Sequence, residues 1–199
     1  MLTPSSKIAA HMAESVPKEK TIIIDAFAGV GGNAIAFALS GRWEQVFAIE
    51  KDPKTMKCAK HNAAIYGVQN KIVWVTGDSF DVISRRFFGK NNNVIFASPP
   101  WGGMLFPRIT LSVLLTDVGT EYSAEDVFDL SKMQPYSLGK LYTSFSRHTT
   151  HLVFYLPRTS DLNQIAQYAP KDKKLEVAHY CVMGASKVRA CIPFMETAY

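Results

Sequence analysis

Short apolar runs alternate with helical stretches between Thr21 and about Pro157 of this 199-residue chain. Apolar runs rich in β-branched residues are typical of strands that helices cover on both faces of a parallel sheet. The predicted strands are Thr21–Phe27, Gln45–Glu50, Lys71–Gly77, Val94–Ser98, His151–Leu156, Leu175–Val182 and Val188–Phe194. The predicted helices are Gly31–Ser40, Pro53–Tyr66, Ser79–Phe88, about Ser137–Arg147 and Leu162–Tyr168. We therefore expect one α/β domain with a mostly parallel, seven-stranded sheet.

Local signals mark where several of these elements begin and end. Asp52 can cap the helix that starts at Pro53, and Gly67 can end it. The short turn Met183–Ser186 contains a glycine, so the last two strands should form an antiparallel hairpin. The stretch Gly102–Gln134 is the least periodic part of the chain, and we expect a long loop there with at most one short helix.

Composition excludes several classes of protein. Hydrophobic residues make up 47% and charged residues 20% of the chain, as in an ordinary globular domain. The net charge of +5 suits a polyanionic partner without requiring one. Three cysteines without CxxC spacing argue against a disulfide framework and a zinc site, and no metal is expected. No apolar run approaches the roughly 18 residues of a membrane span, so we expect a soluble, intracellular protein.

A glycine-rich turn joins the first strand to the first predicted helix, in the segment Asp25–Asn33. Gly29 and Gly31 allow the backbone to approach a ligand closely, and the start of a helix presents unpaired amides. Many α/β proteins have such a turn without a ligand, and that alternative stays open for the turn taken alone.

Two further acidic residues follow the next two strands. Glu50 ends the second strand, where its carboxylate can accept hydrogen bonds from ribose hydroxyls. Asp78 follows the third strand, where it can accept a bond from an adenine amine or simply cap the next helix. Because ligands of open α/β sheets bind at the carboxyl ends of the strands, Asp25, Glu50 and Asp78 together indicate a nucleoside site.

The segment Ser98–Gly103 follows the fourth strand and has the sequence Ser-Pro-Pro-Trp-Gly-Gly. Pro99 and Pro100 lack backbone donors and fix φ, so rigid carbonyl oxygens remain as acceptors for a planar amine. Trp101 offers a face on which the base that carries the amine can stack. The alternative is a stiff turn with a buried tryptophan, but its place beside a nucleoside site favours amine presentation.

Other candidates carry less weight. Lys51, Lys54, Lys57 and Lys60 recur every three residues; they could meet phosphates, although a solvated helix face is favoured. Arg158 follows the fifth strand and could reach a phosphate. The histidines show neither metal-ligand spacing nor a paired base, and we interpret them as structural residues.

With these motifs the chain resembles the trimethylguanosine synthase family, which converts the 7-methylguanosine cap of small nuclear and nucleolar RNAs to the 2,2,7-trimethyl form. The resemblance covers nearly the whole chain. Its most specific pieces are Asp25–Asn33, Asn62–Gly67, Ser98–Gly103, Phe128–Leu130 and Phe154–Arg158. The tryptophan distinguishes this family from related amine methyltransferases, which usually have tyrosine or phenylalanine there.

The resemblance implies a Rossmann-like class I methyltransferase that uses S-adenosyl-L-methionine and releases S-adenosyl-L-homocysteine. It implies that the cofactor is bound by Thr3, Asp25, Ala28, Gly29, Gly31, Glu50 and Asp78. It implies that Ser98, Pro99 and Trp101 are catalytic. It implies that capped RNA is bound by Asn33, Pro100, Trp101 and Arg158. A nuclear location and partners among small nuclear ribonucleoprotein proteins are further expectations.

Two features depart from the family pattern. The segment Met104–Glu125 is longer than the usual link, and its apolar run Ile109–Leu115 has no assigned role. Relatives also place an aromatic-rich segment ahead of the position of Thr3, so we expect a single domain, residues 1–199, that lacks an upstream segment. The remaining alternatives are an adenine-amine methyltransferase of RNA or DNA and a cap-binding domain without catalysis.

Overall fold

The computed structural model describes residues 4–87, 91–101, 127–157, 159–169, 175–181 and 187–193. Its sheet has the strand order β3-β2-β1-β4-β5-β7-β6. The strands are β1 Ile22–Asp25, β2 Gln45–Glu50, β3 Ile72–Thr76, β4 Asn93–Ala97, β5 Leu152–Leu156, β6 Leu175–Cys181 and β7 Lys187–Pro193. The first five are parallel to one another. β7 pairs antiparallel with both β5 and β6. The strand order reverses at β1 and β4, and their carboxyl ends mark the expected ligand crevice.

Helices cover both faces of this sheet. They are α1 Pro4–Ser15, α2 Gly32–Ser40, α3 Pro53–Ile65, α4 Ser79–Arg86, α5 Leu138–Phe145 and α6 Leu162–Ala166. Short 3-10 helices lie at Gln69–Lys71 and Leu130–Lys132. Residues of α1, α2 and α3 share one buried cluster with alternate strand residues, and residues of α4, α5 and α6 share the other.

The central strands are buried on both faces, which is why polar residues do not alternate with apolar ones along them. Successive residues Ile23 and Ile24 of β1 are both fully buried but belong to opposite clusters. All five residues of β4 are buried. Because burial stabilises the fold by about 25 cal/mol per Å² of apolar surface, a strand buried on both faces contributes more per residue than one buried on a single face.

The predicted fold class is confirmed, and each predicted strand coincides with an observed one to within two residues at either end where the chain is described. The predicted cap is also confirmed, because Asp52 accepts a hydrogen bond from the amide of Thr55 at the start of α3. The turn Met183–Ser186, the end of the third predicted helix at Phe88 and the segment Met104–Glu125 lie outside the described residues. No described helix has the length and apolar character needed to cross a membrane.

Helix α1 was not predicted. The buried residues Ile8 and Met12, with Val16 directly after the helix, recur every four positions, which is a helical signal, but no acidic residue marks the first turn. Its place is decided by tertiary contacts: it packs on α2, and His11 contacts Glu176 of β6 at 2.9 Å.

Candidate active site

A cavity of about 460 Å³ opens at the carboxyl ends of β1, β2, β3 and β4. Its lining residues are Ala26, Phe27, Gly29, Ile49, Glu50, Lys51, Asp78, Ser79, Phe80, Ser98, Pro99, Pro100, Pro135 and Tyr136. This volume lies in the range of sites for small molecules and cofactors. The structure thus brings the glycine-rich turn, the acidic strand ends and the proline motif to one place.

The glycine-rich turn depends on backbone conformations that favour glycine. Gly29 has a φ of 52° and Gly31 a φ of 91°. A Cβ atom on Gly31 would lie 3.2 Å from the Cβ of Ala59 in α3, whereas one on Gly29 would meet nothing within 4 Å. Gly31 is therefore needed for helix packing, and Gly29 is the glycine that lines the cavity.

The Glu50 carboxylate is held by the main chain on both sides. Oε2 accepts a hydrogen bond from the amide of Gly29 at 3.0 Å, and Oε1 accepts one from the amide of Asp52 at 2.8 Å. Each carboxylate oxygen has a second acceptor position. Glu50 lines the cavity with a fixed orientation and can still accept two bonds from a ligand.

Asp78 has both of the roles considered from the sequence. It is the N-cap of α4, where its Oδ1 accepts a bond from the amide of Phe80 at 3.0 Å. Its Oδ2 lies 3.4 Å from the ammonium of Lys51, and all three residues line the cavity. A helix cap and a ligand acceptor are compatible because the carboxylate has two oxygens.

Asp25 lies behind the cavity wall rather than on it. Its side chain is fully buried, and neither carboxylate oxygen has a hydrogen-bond partner among the residues that the structure describes. Burial raises the pKa of Asp25 to about 7. The nearby amides of Phe27 and Ala34 oppose this rise, and the charge of Glu50 adds to it. Direct contact between Asp25 and a cofactor stays a prediction.

The motif after β4 forms the opposite side of the cavity. Ser98, Pro99 and Pro100 line it, and the Oγ of Ser98 lies 3.4 Å from the side-chain amide of Asn33. Trp101 is half-buried beside this wall. Its indole N–H donates to the carbonyl of Tyr155 at 3.1 Å, and the two rings lie 6.0 Å apart. Trp101 is therefore oriented by β5, although it is not part of the cavity lining.

An aromatic wall completes the cavity and was missed by sequence reasoning. Phe80 and Tyr136 pack edge to face with ring centres 4.9 Å apart, and Phe80 stacks on Phe145 at 5.1 Å. The ammonium of Lys140 lies 5.0 Å from the centre of the Tyr136 ring. The place of Phe80 at the cavity could have been inferred from the sequence, because it follows the acidic Asp78 by two residues. No sequence pattern indicated that Tyr136 lines the cavity, because its segment reaches the cavity only through the tertiary fold.

The remaining predicted site residues are placed as follows. Ala28 and Gly31 are buried in the turn and, with Asn33, lie outside the cavity lining. Thr3 and Arg158 lie outside the described residues. Within the described ranges no group of three or more metal-ligating side chains is present.

Comparison with known proteins gives concordant matches. A family model described as RNA cap guanine-N2 methyltransferase matches residues 20–114 and 115–195. The chain is 31% identical over 194 residues to trimethylguanosine synthase of Schizosaccharomyces pombe, covering 96% of the chain and 73% of that protein. It is 31% identical over 151 residues to trimethylguanosine synthase of Saccharomyces cerevisiae, covering 75% of the chain and 42% of that longer protein.

Solved structures support the same fold. An RNA methyltransferase from Salinibacter ruber in complex with S-adenosyl-L-homocysteine aligns with a TM-score of 0.54, with 18% identity, over 100% of this chain and 95% of that one. A SAM-dependent O-methyltransferase from Thermotoga maritima aligns with a TM-score of 0.53, with 16% identity, over 100% of this chain and 68% of that one. At these identities the likeness concerns the fold alone.

Proposed function

The chain belongs to the RNA cap guanine-N2 methyltransferase family, and we propose that it converts 7-methylguanosine caps of small nuclear and nucleolar RNAs to 2,2,7-trimethylguanosine. It is an enzyme whose cofactor is S-adenosyl-L-methionine. The observation that carries the proposal is that two sets of residues line the same cavity. Glu50 and Asp78 line one side, and Ser98, Pro99 and Pro100 line the other.

The residues on the side of Glu50 and Asp78 suit the nucleoside part of the cofactor. Glu50 offers two acceptor positions for ribose hydroxyls, and Asp78 offers one for an adenine amine. Phe80 and Tyr136 supply an apolar wall for a flat ring. When bound, S-adenosyl-L-methionine supplies an already activated methyl group.

The residues on the side of Ser98, Pro99 and Pro100 suit the amine that accepts the methyl group. Pro99 and Pro100 lack N–H groups, so the main chain there offers acceptors only. Asn33 restrains the Ser98 hydroxyl, which also lies 3.5 Å from the carbonyl of Phe27. We propose that this wall accepts the two amine protons of guanine and thereby fixes the direction of its lone pair.

Trp101 is proposed to stack on the base. Its indole is held by Tyr155 through one hydrogen bond and one ring contact, so little side-chain freedom remains to be lost on binding. Methylation at the seventh position makes the guanine cationic, and attraction to an indole face is worth roughly 0.5–2 kcal/mol. Unmethylated guanine would lose this contribution.

Catalysis is proposed to rest on alignment rather than on a strong base. The described residues that line the cavity include no histidine. Lys51 is the only cationic side chain among them, and it forms an ion pair with Asp78. Holding two reactants in the right geometry can lower a barrier by roughly 7–11 kcal/mol.

The finer assignments are part of the proposal. The trimethylated product comes from the names of the two relatives, and the chain spans less than half of the Saccharomyces protein. The class of RNA comes from the resemblance of the sequence to the family. Contacts of Asp25, Ala28, Gly31 and Thr3 with the cofactor, and of Arg158 with cap phosphates, are likewise proposed. A nuclear location, ribonucleoprotein partners and a single domain over residues 1–199 complete the proposal.

The test is methyl transfer from labelled S-adenosyl-L-methionine to three substrates: a 7-methylguanosine cap dinucleotide, the same dinucleotide without the methyl group, and an uncapped adenine-rich RNA. We expect transfer to the exocyclic amine of the first substrate only, and nuclease digestion identifies the methylated base. Methyl groups on adenine, or equal rates on both caps, would contradict the proposal.

A further inference from the structure

We propose that the exposed side of α3 binds the single-stranded RNA that follows the cap, through Lys54, Lys57 and Lys60, called here the lysine track. This inference rests on the proposed function, because it assigns a place to the body of the same substrate. It adds a second binding surface outside the cavity.

Charge is the first argument. From Pro53 to Gly77 the sequence contains four lysines and no aspartate or glutamate, so this segment alone has a net charge of +4 in a chain of +5. Lys71 follows the helix within the same segment. Acidic residues usually alternate with lysines on a solvated helix, and their absence leaves a local positive field that attracts polyanions.

Exposure is the second argument. Lys54, Lys57 and Lys60 are all exposed, while Met56 and Ala59 bury the opposite side of the helix. Neighbours three residues apart lie on adjacent turns, so the three ammonium groups form one row along a helix about 20 Å long. No described carboxylate forms an ion pair with any of the three.

Position relative to the cavity is the third argument. At one end of α3, the side-chain amide of Asn62 donates to the carbonyl of Val30 at 2.9 Å, which fixes the helix against the glycine-rich turn. The same turn contacts the proposed amine site, where Asn33 meets Ser98. At the other end, Lys51 lines the cavity directly before the helix. A chain leaving a base at Ser98 can therefore cross the turn and reach the lysine track.

The surface at the turn favours unpaired nucleotides. Val30 and Tyr66 are exposed by 57% and 59%, and Tyr66 lies one helical turn beyond Asn62, which contacts Val30. Exposed aromatic rings beside basic grooves are typical of proteins that bind single strands, because every base can stack on them. A duplex would offer phosphates to the lysines but no free base to Tyr66.

The experiment compares KM for a 7-methylguanosine cap dinucleotide with KM for a capped, unstructured RNA of roughly 20 nucleotides. The test variant is Lys54→Gln, Lys57→Gln and Lys60→Gln combined. The matched control is Lys18→Gln, Arg85→Gln and Arg86→Gln, which removes three exposed cations outside α3. Circular dichroism and melting temperature establish that both variants fold.

We expect KM of the test variant to rise about tenfold for the long RNA at about 50 mM salt and to stay within twofold for the dinucleotide. The slope of log KM against log salt should decrease by about 2, because each phosphate contact to a single strand contributes about 0.7. The control variant should behave like the unaltered chain. Equal KM and slope in both variants would overturn the proposal, as would an equal loss on both substrates.

A binding measurement separates this inference from the proposed function. Fluorescence anisotropy of a labelled, uncapped 20-nucleotide RNA reports on the lysine track without catalysis, and only the test variant should bind it more weakly. A capped hairpin with no unpaired nucleotides after the cap should bind less tightly than the unstructured RNA, and Tyr66→Ala should remove that difference. Equal binding of both RNAs by the unaltered chain would overturn the single-strand assignment.

Discussion

The two sides of the cavity are held in place by different kinds of contact. On the side proposed to hold the cofactor, called here the cofactor side, main-chain amides of Gly29, Asp52 and Phe80 orient the carboxylates of Glu50 and Asp78. On the side proposed to hold the base, called here the base side, the Asn33 side chain contacts Ser98, and the Trp101 indole donates to the main-chain carbonyl of Tyr155 and packs against its ring. A main-chain amide is available at every residue except proline, whereas the Asn33 amide and the Trp101 and Tyr155 rings depend on the residue type. The contacts on the cofactor side therefore depend less on the identity of the contacting residues than those on the base side.

The largest effect is expected at Asp25, which lies beneath the cofactor side. The unfolded chain releases this proton near the ordinary carboxyl pKa of 3.8, and the folded protein releases it near 7. The folded state therefore binds more protons between these values, and the free energy of unfolding should fall as pH rises from about 4 to 7. The loss should reach about 4 kcal/mol.

Asp25→Asn removes this titration while it preserves the shape of the side chain. Urea unfolding of the cofactor-free protein at pH 5 and pH 8 should show the variant gaining stability relative to the unaltered chain at the higher pH. A stability difference that does not change with pH would mean that Asp25 is ionised in the folded protein.

Glu50→Gln tests the cofactor side directly. The substitution preserves size and one acceptor oxygen but removes the charge and the second acceptor, so affinity for S-adenosyl-L-methionine should fall by about 1.5–3 kcal/mol. Calorimetric titration measures this change. KM for the capped dinucleotide at saturating cofactor should stay unchanged, and a rise there would show that the two sides are not independent.

Trp101→Ala tests the base side in the same way. Stacking of a base on an aromatic ring is worth about 1–3 kcal/mol, so kcat/KM for the 7-methylated cap should fall about 10- to 100-fold while cofactor affinity stays intact. The preference for the methylated over the unmethylated cap should also disappear. If both caps lose activity equally and the preference survives, Trp101 acts only by packing on Tyr155.

The smallest effect is the difference in stability between two substitutions in the turn that joins the two sides. Gly31→Ala and Gly29→Ala each place a side chain in the left-handed region, which costs roughly 1–2 kcal/mol. Gly31→Ala should destabilise the protein by about 1 kcal/mol more, because its Cβ would crowd Ala59. Thermal unfolding ranks the two variants, and an equal loss would mean that α3 shifts to make room.

Most of the sheet and the acidic strand ends could be predicted from local sequence, because their signals lie within a few residues. Continuous apolar runs identify strands buried on both faces, and Asp52 with Pro53 marks the start of α3. Helix α1 and the cavity wall at Tyr136 could not be predicted, since their positions depend on contacts with α2, Phe80 and Lys140 that are distant in sequence.

By itself the sequence determined the fold class and indicated a nucleoside site beside an amine site, because glycines, carboxylates and prolines at the ends of parallel strands meet at one edge of the sheet. The cofactor and the reaction class followed from the resemblance to the family. Only the tertiary structure decided how those residues act. It placed Asp25 behind the wall with a raised pKa and held Glu50 between two amides. It also set α3 against the turn through Asn62 and Val30. Burial and hydrogen-bond geometry depend on contacts between residues that are distant in sequence, so local sequence patterns do not predict them.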